Sequence, residues 1–487
     1  MSSKQAMSFL NHPKGLFVLS FAEMFERISF YGLRSLLLLY MVNQLKYLDV
    51  RGYGVIGMYA TLVYAAPLIG GYLADKILGF QRAVILGSLV IACGHLCMTI
   101  STGQAFFYAG LGLIISGTGL FKSNVSAMVG MLYDKEDQRK DAGYTLFYLG
   151  INFGGFLGPL ICGLIAATYG WQLGFGVASL GMIVGAASLL AKRHHFSHIK
   201  QPENPRINLS AITMIGSLLA GPLFAGLIYA NEIFSWILPF LGLAFLAYLL
   251  QTAFKSSKEE RRHILILVVA IFLLMLSGAF VEQTALVLTL FIERSVDRSL
   301  FGWVIPTGFF HSIDPLTALT FGGIFSWIWM RLAAKNRDLE ASTKYTIGFS
   351  LMALAYLIFT LVCTFGVQEN GSIPWLYALI AMVFLSMGDI CIYPVALSLC
   401  SKLSPRHMQG TLMGGVMMGV AFSQLIASIL AKLASLQVES LESKVASPSA
   451  LLIYKDLFLD LTVMASLGIL LTFGVSLWMK KATKVSS

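Results

Sequence analysis

Residues 21–34 read FAEMFERISFYGLR, and they place Glu23, Glu26, Arg27 and Arg34 inside a long apolar run. At 100° per residue, positions 23, 26, 27, 30, 31 and 34 fall within an arc of roughly 140°, so the charges and Tyr31 share one helix face. A charge at the centre of a bilayer costs about 2.5 to 3.5 kcal/mol even on the lenient insertion scale. That face therefore turns inward, toward other helices, a polar cavity or an ion pathway.

Composition sets the class. The 487 residues are 57% hydrophobic and only 12% charged, with a mean hydropathy of +0.77, far from the balance of soluble domains. Apolar runs of about 20 residues recur along the whole chain, whereas membrane β-strands would appear as short alternating segments. The expectation is an all-α polytopic membrane protein with about 14 spans. The first span is long, charged and without a small-residue cleavage site, so it reads as a retained helix and not a signal peptide. The six cysteines lie mostly in apolar runs and define no disulfide framework.

The net charge of +10 is a matter of topology and gives no reason to invoke nucleic acid. Basic residues collect in alternate loops: Lys76 and Arg82, Lys135 with Arg139 and Lys140, 192–206, 255–262, 331–344, Lys402 with Arg406, and 480–484. The opposite loops carry Glu232, Glu369, Glu439 and Glu442. By the positive-inside rule both termini are expected to be cytoplasmic.

Six spans are expected at about 14–45, 51–75, 82–101, 104–132, 141–168 and 171–191, and six more at about 262–292, 299–332, 341–366, 373–402, 405–437 and 455–480. Between them stand a polar connector, KRHHFSHIKQPENPR, and two further apolar runs near 211–230 and 233–254. The domains expected are a six-helix bundle over 1–191, connectors and an inserted two-helix hairpin over 192–261, and a second bundle with its tail over 262–487. The hairpin's only membrane charge is Glu232 at its turn, so it reads as peripheral and without transport chemistry. This plan resembles the major-facilitator fold, in which two bundles rock about a midplane site. The loop GGYLADKILGFQR, with Asp75, Lys76, Gly79 and Arg82, resembles the cytoplasmic loop signature of that superfamily.

Three segments narrow the resemblance: Glu23-x-x-Glu26-Arg27 with Tyr31 and Gly32; GTGLFKSNVS with Lys122 and Asn124; and FYLGINFGG with Phe147, Tyr148, Asn152 and Gly154. Together they resemble the ExxERFxYYG, GxGxxKxN and FYxxINxG motifs of the proton-dependent oligopeptide transporter family. The resemblance runs from about Phe17 to Ser398. It implies import of di- and tripeptides driven by inward proton flow, with no cofactor, no obligate protein partner and no enzymatic step.

The second half departs from the family pattern. Glu282-Gln283-Thr284 stands where Glu-Gln-Gly is frequent, His311 and Asp314 stand in a segment that usually carries Gln and Asn, Asp389 replaces a Glu, and Phe30 replaces a Tyr.

The residues also make a bipolar set. The first-half spans hold Glu23, Glu26, Arg27, Arg34 and Lys122; the second-half spans hold Glu282, Asp314 and Asp389. A short peptide is a zwitterion, so Arg27, Arg34 and Lys122 suit its carboxylate, with the arginine forks able to make paired hydrogen bonds, and the acids suit its ammonium. Tyr31, Tyr64 and Asn152 are candidates for the peptide amide. Proton coupling needs a carboxylate that changes partner when protonated. Glu282 leads, releasing a base such as Arg27 or Lys122; Glu23 and Glu26, holding Arg27, are the alternative, and the acids can titrate as one set. Asp314 adds a charge that would favour cationic side chains, although pairing with His311 or a hinge at Pro315 fits it equally.

Structural readings stand beside these. Glu26 and Arg27 also fit a permanent ion pair holding the first helix, and Lys122 a gate partner of Asp389. Gly154, Gly155 and Gly158 fit close packing, and His95 a hydrogen-bonded structural role. His194, His195 and His198 have metal-like spacing but sit in a basic connector without Cys or acid, so no metal is expected. No phosphate loop or HExxH motif is present. The functional alternatives are a major-facilitator exporter of cationic compounds and an intramembrane hydrolase.

Overall fold

The structure is a computed structural model that describes residues 12–100, 103–134, 137, 139–197, 199, 207–337, 339–438 and 448–484. Fifteen α-helices run through the described residues. They are α1 Lys14–Leu39, α2 Asp49–Leu73, α3 Phe80–Ile100, α4 Gln104–Met131, α5 Lys140–Tyr169, α6 Trp171–Ala191, α7 Ile207–Tyr229, α8 Asn231–Lys255, α9 Lys258–Val281, α10 Val287–Ser295, α11 Ile313–Ala334, α12 Ala341–Phe365, α13 Trp375–Leu403, α14 Gln409–Val438 and α15 Pro448–Lys484. Among the described residues twelve helices are long and apolar enough to cross a membrane, with Lys258–Ser295 counted as one. The charge-bearing α1 falls outside that set because Glu23, Glu26, Arg27 and Arg34 interrupt its apolar run.

The expected spans and observed helices agree closely, with two corrections: the run over 262–292 divides into α9 and α10, and the run over 299–332 begins late. Two short strand pairs lie at the start of the second. Ser299–Leu300 pairs antiparallel with Trp303–Val304, and Val296–Asp297 pairs parallel with Ile373–Pro374. Gly302, at φ +82°, turns the first of these, and α11 starts only at Ile313 after a 3-10 turn over Thr307–Ser312. Gly302 and Pro306 are the physical reason: one takes a left-handed turn, and the other cannot continue a helix.

The chain divides into two compact units, Met1–Leu33 with Ala66–Gly226, and Arg34–Ala65 with Leu227–Ser487. In the first, α3 packs on α4 and α6, and α5 on α6. Glycines bring backbones together there. A Cβ at Gly87 would stand 2.7 Å from Gly117 O, and one at Gly94 would stand 2.7 Å from Gly110 O. In the second, α12 packs on α13 and α15, α9 on α8, α13 and α14, and α11 on α13. Around α10, Phe291 packs edge-on against Phe359, Tyr454 and Phe458, with ring centroids 5.0 to 5.7 Å apart. The superfamily loop resolves as a π-turn over Ala74–Leu78 closed by Gly79 at φ +79°, a conformation that L side chains rarely adopt.

Candidate substrate and coupling sites

In the first unit the charged face of α1 is buried: Glu23 is 3% exposed, Glu26 1% and Arg27 4%. Arg27 Nε lies 3.1 Å from Glu23, one helical turn away, and its other arm is ion-paired to Glu26. The second oxygen of Glu23 has no hydrogen-bond partner among the described residues. A buried carboxylate oxygen without a donor is an uncommon arrangement in folded proteins, and it is a place where a proton can reside. Arg27 also faces the ring of Phe30 at 5.1 Å, and Lys122 of α4 approaches the same ring at 6.0 Å. Lys122 is close enough to Glu23 to act on its charge. The four groups form one network.

The position of that network is set by α5. Gly150, Gly154 and Gly158 lie four residues apart and face α1. A Cβ at Gly154 would stand 2.3 Å from Met24 O and 2.8 Å from Arg27 Cβ, and one at Gly158 would stand 2.6 Å from Ile28 O. Small residues at this spacing let membrane helices meet backbone to backbone, which supports the packing reading of Gly154 and Gly158. Asn152 donates to Tyr148 O at 3.0 Å, within its own helix. Asn124 donates to Leu120 O at 2.8 Å and to Gly70 O at 3.2 Å. Tyr31 is half-buried, edge-on to Phe30. His95 is hydrogen-bonded through Nε2 to Ser29 of α1 at 2.5 Å, the structural role expected for it.

In the second unit a different pair forms. Arg34, two turns beyond Arg27 on α1, is ion-paired with Glu282, their side chains 13% and 14% exposed. The sequence had named Arg27 or Lys122 as the base that Glu282 holds; the partner observed is Arg34. Glu282 sits where the helix breaks. α9 ends at Val281, a 3-10 turn covers Glu282–Ala285, and Leu286 departs to φ −115°, ψ −104° before α10 begins. Backbone freed at such a break must find other partners in a membrane. Thr289 Oγ1 donates to Thr284 O at 2.7 Å, and Gln283 Nε2 donates to Ala427 O of α14 at 3.0 Å. Discontinuous helices of this kind mark substrate and ion sites in transporters.

Thr289 also meets His311 Nε2 at 3.0 Å. Asp314, the residue for which pairing with His311 was one reading, is instead hydrogen-bonded by Ser386 of α13, and its charge is felt by Asp389 one turn further along. Arg34 is near enough to act on both His311 and Asp314. Pro315 lies in the first turn of α11, where its missing N–H breaks no helical bond, so that turn requires no hinge. Tyr64, half-buried on α2, belongs to this unit.

A second ion pair was not anticipated. Arg294 at the end of α10 forks Asp49 at the start of α2 with contacts of 2.6 and 2.9 Å. Both residues lie at span ends, where charges are ordinary, so the sequence offers no signal for the pairing. Around it the first half of α2 is held to α14: Ser428 Oγ donates to Tyr53 O at 2.8 Å and Thr61 Oγ1 donates to Ala421 O at 3.3 Å.

The loop between α4 and α5 and the His-containing connector lie outside the spans. Arg139 grips Asp137 through Nε at 3.0 Å, Nη2 at 2.7 Å and its backbone N–H at 2.9 Å, and these bonds lower the Asp137 carboxyl to about 2. Partial burial, His194 and the nearby Lys14 and Lys192 lower the His195 imidazole below its usual range. No group of three or more metal-binding side chains occurs among the described residues; His198 lies outside them.

A multi-pass helical bundle with buried charge networks, one of them at a broken helix, defines a membrane transporter of the major-facilitator type. The POT family model matches residues 81–445, and the chain belongs to the POT family. It is 34% identical over 439 residues to the peptide transporter YePEPT of Yersinia enterocolitica, covering 84% of this chain and 85% of that protein. It is 27% identical over 489 residues to dipeptide and tripeptide permease A of Proteus mirabilis, covering 99% and 98%. The crystal structure of a POT peptide transporter in complex with sulfate superposes with a TM-score of 0.82 at 28% identity, covering 96% of each chain. The fold is therefore the major-facilitator one, and the intramembrane-hydrolase alternative is set aside.

Proposed function

We propose that the protein is a proton-coupled symporter that imports di- and tripeptides by alternating access, across the inner membrane of a bacterium with both termini cytoplasmic. The Arg34–Glu282 ion pair at the α9–α10 break carries this reading. Two unit charges 4 Å apart attract by about 4 kcal/mol at an effective dielectric of 20, while withdrawing each from water costs several kcal/mol. Such a pair is finely balanced. One proton on Glu282 removes the attraction and frees Arg34, which can then take a peptide carboxylate.

The charged sets divide the work by sign. Arg27, Arg34 and Lys122 serve the substrate carboxylate; Glu282, Asp314 and Asp389 serve the ammonium; Tyr31, Tyr64 and Asn152 serve the amide. Glu23 and Glu26, with Arg27 and Lys122, form the second coupling network, and the unpartnered oxygen of Glu23 supports it. No cofactor is required. A membrane potential of 100 mV contributes about 2.3 kcal/mol per proton and one pH unit about 1.4 kcal/mol, enough for accumulation of roughly several hundredfold. The domain division into bundles over 1–191 and 262–487 with the pair over 192–261 between them belongs to the same proposal.

Proteoliposomes under an imposed pH and voltage gradient test it. Intact labelled dipeptide accumulating inside supports symport. Accumulation that ignores the gradient overturns the coupling, and export of organic cations without peptide uptake overturns the substrate assignment.

A further inference from the structure

The two helices of the inserted pair belong to different compact units. α7 through Gly226 lies in the first, where a Cβ at Gly112 of α4 would stand 2.0 Å from Gly221 O and where Ser116 Oγ donates to Ser217 O at 2.6 Å. α8 lies in the second, with Gly242 against Phe422 of α14 and Phe245 against Gly415. Between Tyr229 and Asn231, only Ala230 separates the two helices.

That turn is docked. The guanidinium of Arg51, on α2, lies 5.7 Å from the ring centroid of Tyr229 and 4.3 Å from that of Tyr47. A Cβ on Gly54 would stand 2.2 Å from Asn231 Oδ1 and 2.8 Å from Lys432 Nζ of α14. Asn231 is only 5% exposed, and its Nδ2 donates to Ile228 O at 3.1 Å. Glu232 is near enough to Lys432 to attract it. A hairpin that merely bordered lipid would leave its turn outside the protein. Here Asn231 is buried where α2 meets α14, with the exposed Tyr229 and Glu232 flanking it, beside the Asp49–Arg294 fork and the Ser428–Tyr53 bond.

We infer that the turn of the inserted pair is a strap within the second unit: it holds the first half of α2 against α14. Tyr229, Asn231 and Glu232 are positioning residues and touch no substrate.

Hydrogen exchange of the backbone amides over 49–61 tests it in the full-length protein in nanodiscs, without peptide or gradient, so its result is separable from any failure of transport. The Tyr229→Ala/Asn231→Ala double variant should speed exchange over 49–61 by roughly tenfold while the α3–α4 amides stay unchanged. The exposed Glu232→Gln guards against a double variant that fails to fold, with an expected acceleration of about twofold. Wild-type exchange over 49–61 in folded Glu232→Gln and in any folded double variant overturns the inference, as does acceleration spread equally over α3 and α4.

Discussion

Arg34 and Glu282 form an ion pair in which both side chains are more than four-fifths buried, and the glutamate is the first residue past α9, opening the 3-10 turn that ends in the break at Leu286. Arg34 and Arg27 share a helix face but lie seven residues apart, about 10 Å along the axis. The face therefore feeds two networks at two depths. Arg27 belongs to the carboxylates of its own helix, and Arg34 to Glu282.

Glu282→Gln keeps the shape of the side chain and removes its charge and its ability to titrate. Accumulation driven by a pH gradient should be abolished, while counterflow exchange of labelled for unlabelled dipeptide persists. In the wild type, uptake should rise as external pH falls, because protonation breaks the pair; in the variant that slope should flatten. Unchanged accumulation in a well-inserted Glu282→Gln protein would remove Glu282 from the coupling role.

The Asp49–Arg294 fork lends itself to charge reversal. Asp49→Arg and Arg294→Asp should each lower the thermal midpoint, and the double variant should recover part of the loss. A coupling energy of about 1 to 3 kcal/mol is expected for two groups in direct, partly shielded contact. Additive losses would show that the pair contributes nothing beyond its separate desolvation.

The α1–α5 contact allows no extra atoms at its centre. Gly154→Ala forces a methyl to within 2.3 Å of a backbone carbonyl, which cannot move as a flexible side chain can. A loss of about 1 to 3 kcal/mol follows from overpacking of this kind. Gly226→Ala, where a Cβ meets nothing within 4 Å, is the control and should leave the thermal midpoint unchanged.

Much of this was legible in the residues. The buried face of α1 followed from the cost of charge in lipid, and nearly every span followed from run length. The pairing of Arg27 with Glu23 and Glu26 followed from their spacing on one helix, but pairings between helices did not, because sequence gives the sign of a charge and not its depth or its neighbour across a bundle; hence Arg34 stands with Arg27 in the sequence reading, and Asp49–Arg294 is not seen there. The break at Glu282 was hidden because EQTA contains neither proline nor glycine; the bonds that hold it are a local one from Thr289 to Thr284 O and one from the Gln283 side chain to Ala427 O of α14. The stretch 299–306 misled through its apolar residues, which an aqueous-side strand pair and a membrane helix share.

The loop outside α4 and α5 provides a negative control for pH. The Asp137 carboxyl, held by Arg139, titrates at about 2, below its ordinary range. A depressed carboxylate contributes stability that is present above its unfolded pKa and lost as pH falls through the folded one. The contact is thus complete from pH 5 to 8. Asp137→Asn should leave the pH profile of peptide uptake unshifted; a displaced profile would place proton sensing in this loop.

Asp314 is the residue from which a preference among side chains can be argued. Its carboxyl is bonded by Ser386 and lies near Asp389, so two acids stand together between α11 and α13, with Arg34 as the nearby base. A peptide ammonium needs one carboxylate; a second can take a lysine or arginine side chain. Competition against a labelled dipeptide should therefore rank Ala-Lys above Ala-Ala and Ala-Ala above Ala-Glu. In Asp314→Asn the advantage of Ala-Lys over Ala-Ala should shrink by about fivefold to tenfold, the equivalent of one partly shielded ion pair. Uptake of Ala-Ala itself should persist, because Asp389 and Glu282 are intact. Equal affinities for the three peptides in the wild type would dispose of the preference, and a loss of all uptake in Asp314→Asn would move Asp314 from selectivity to the transport cycle itself.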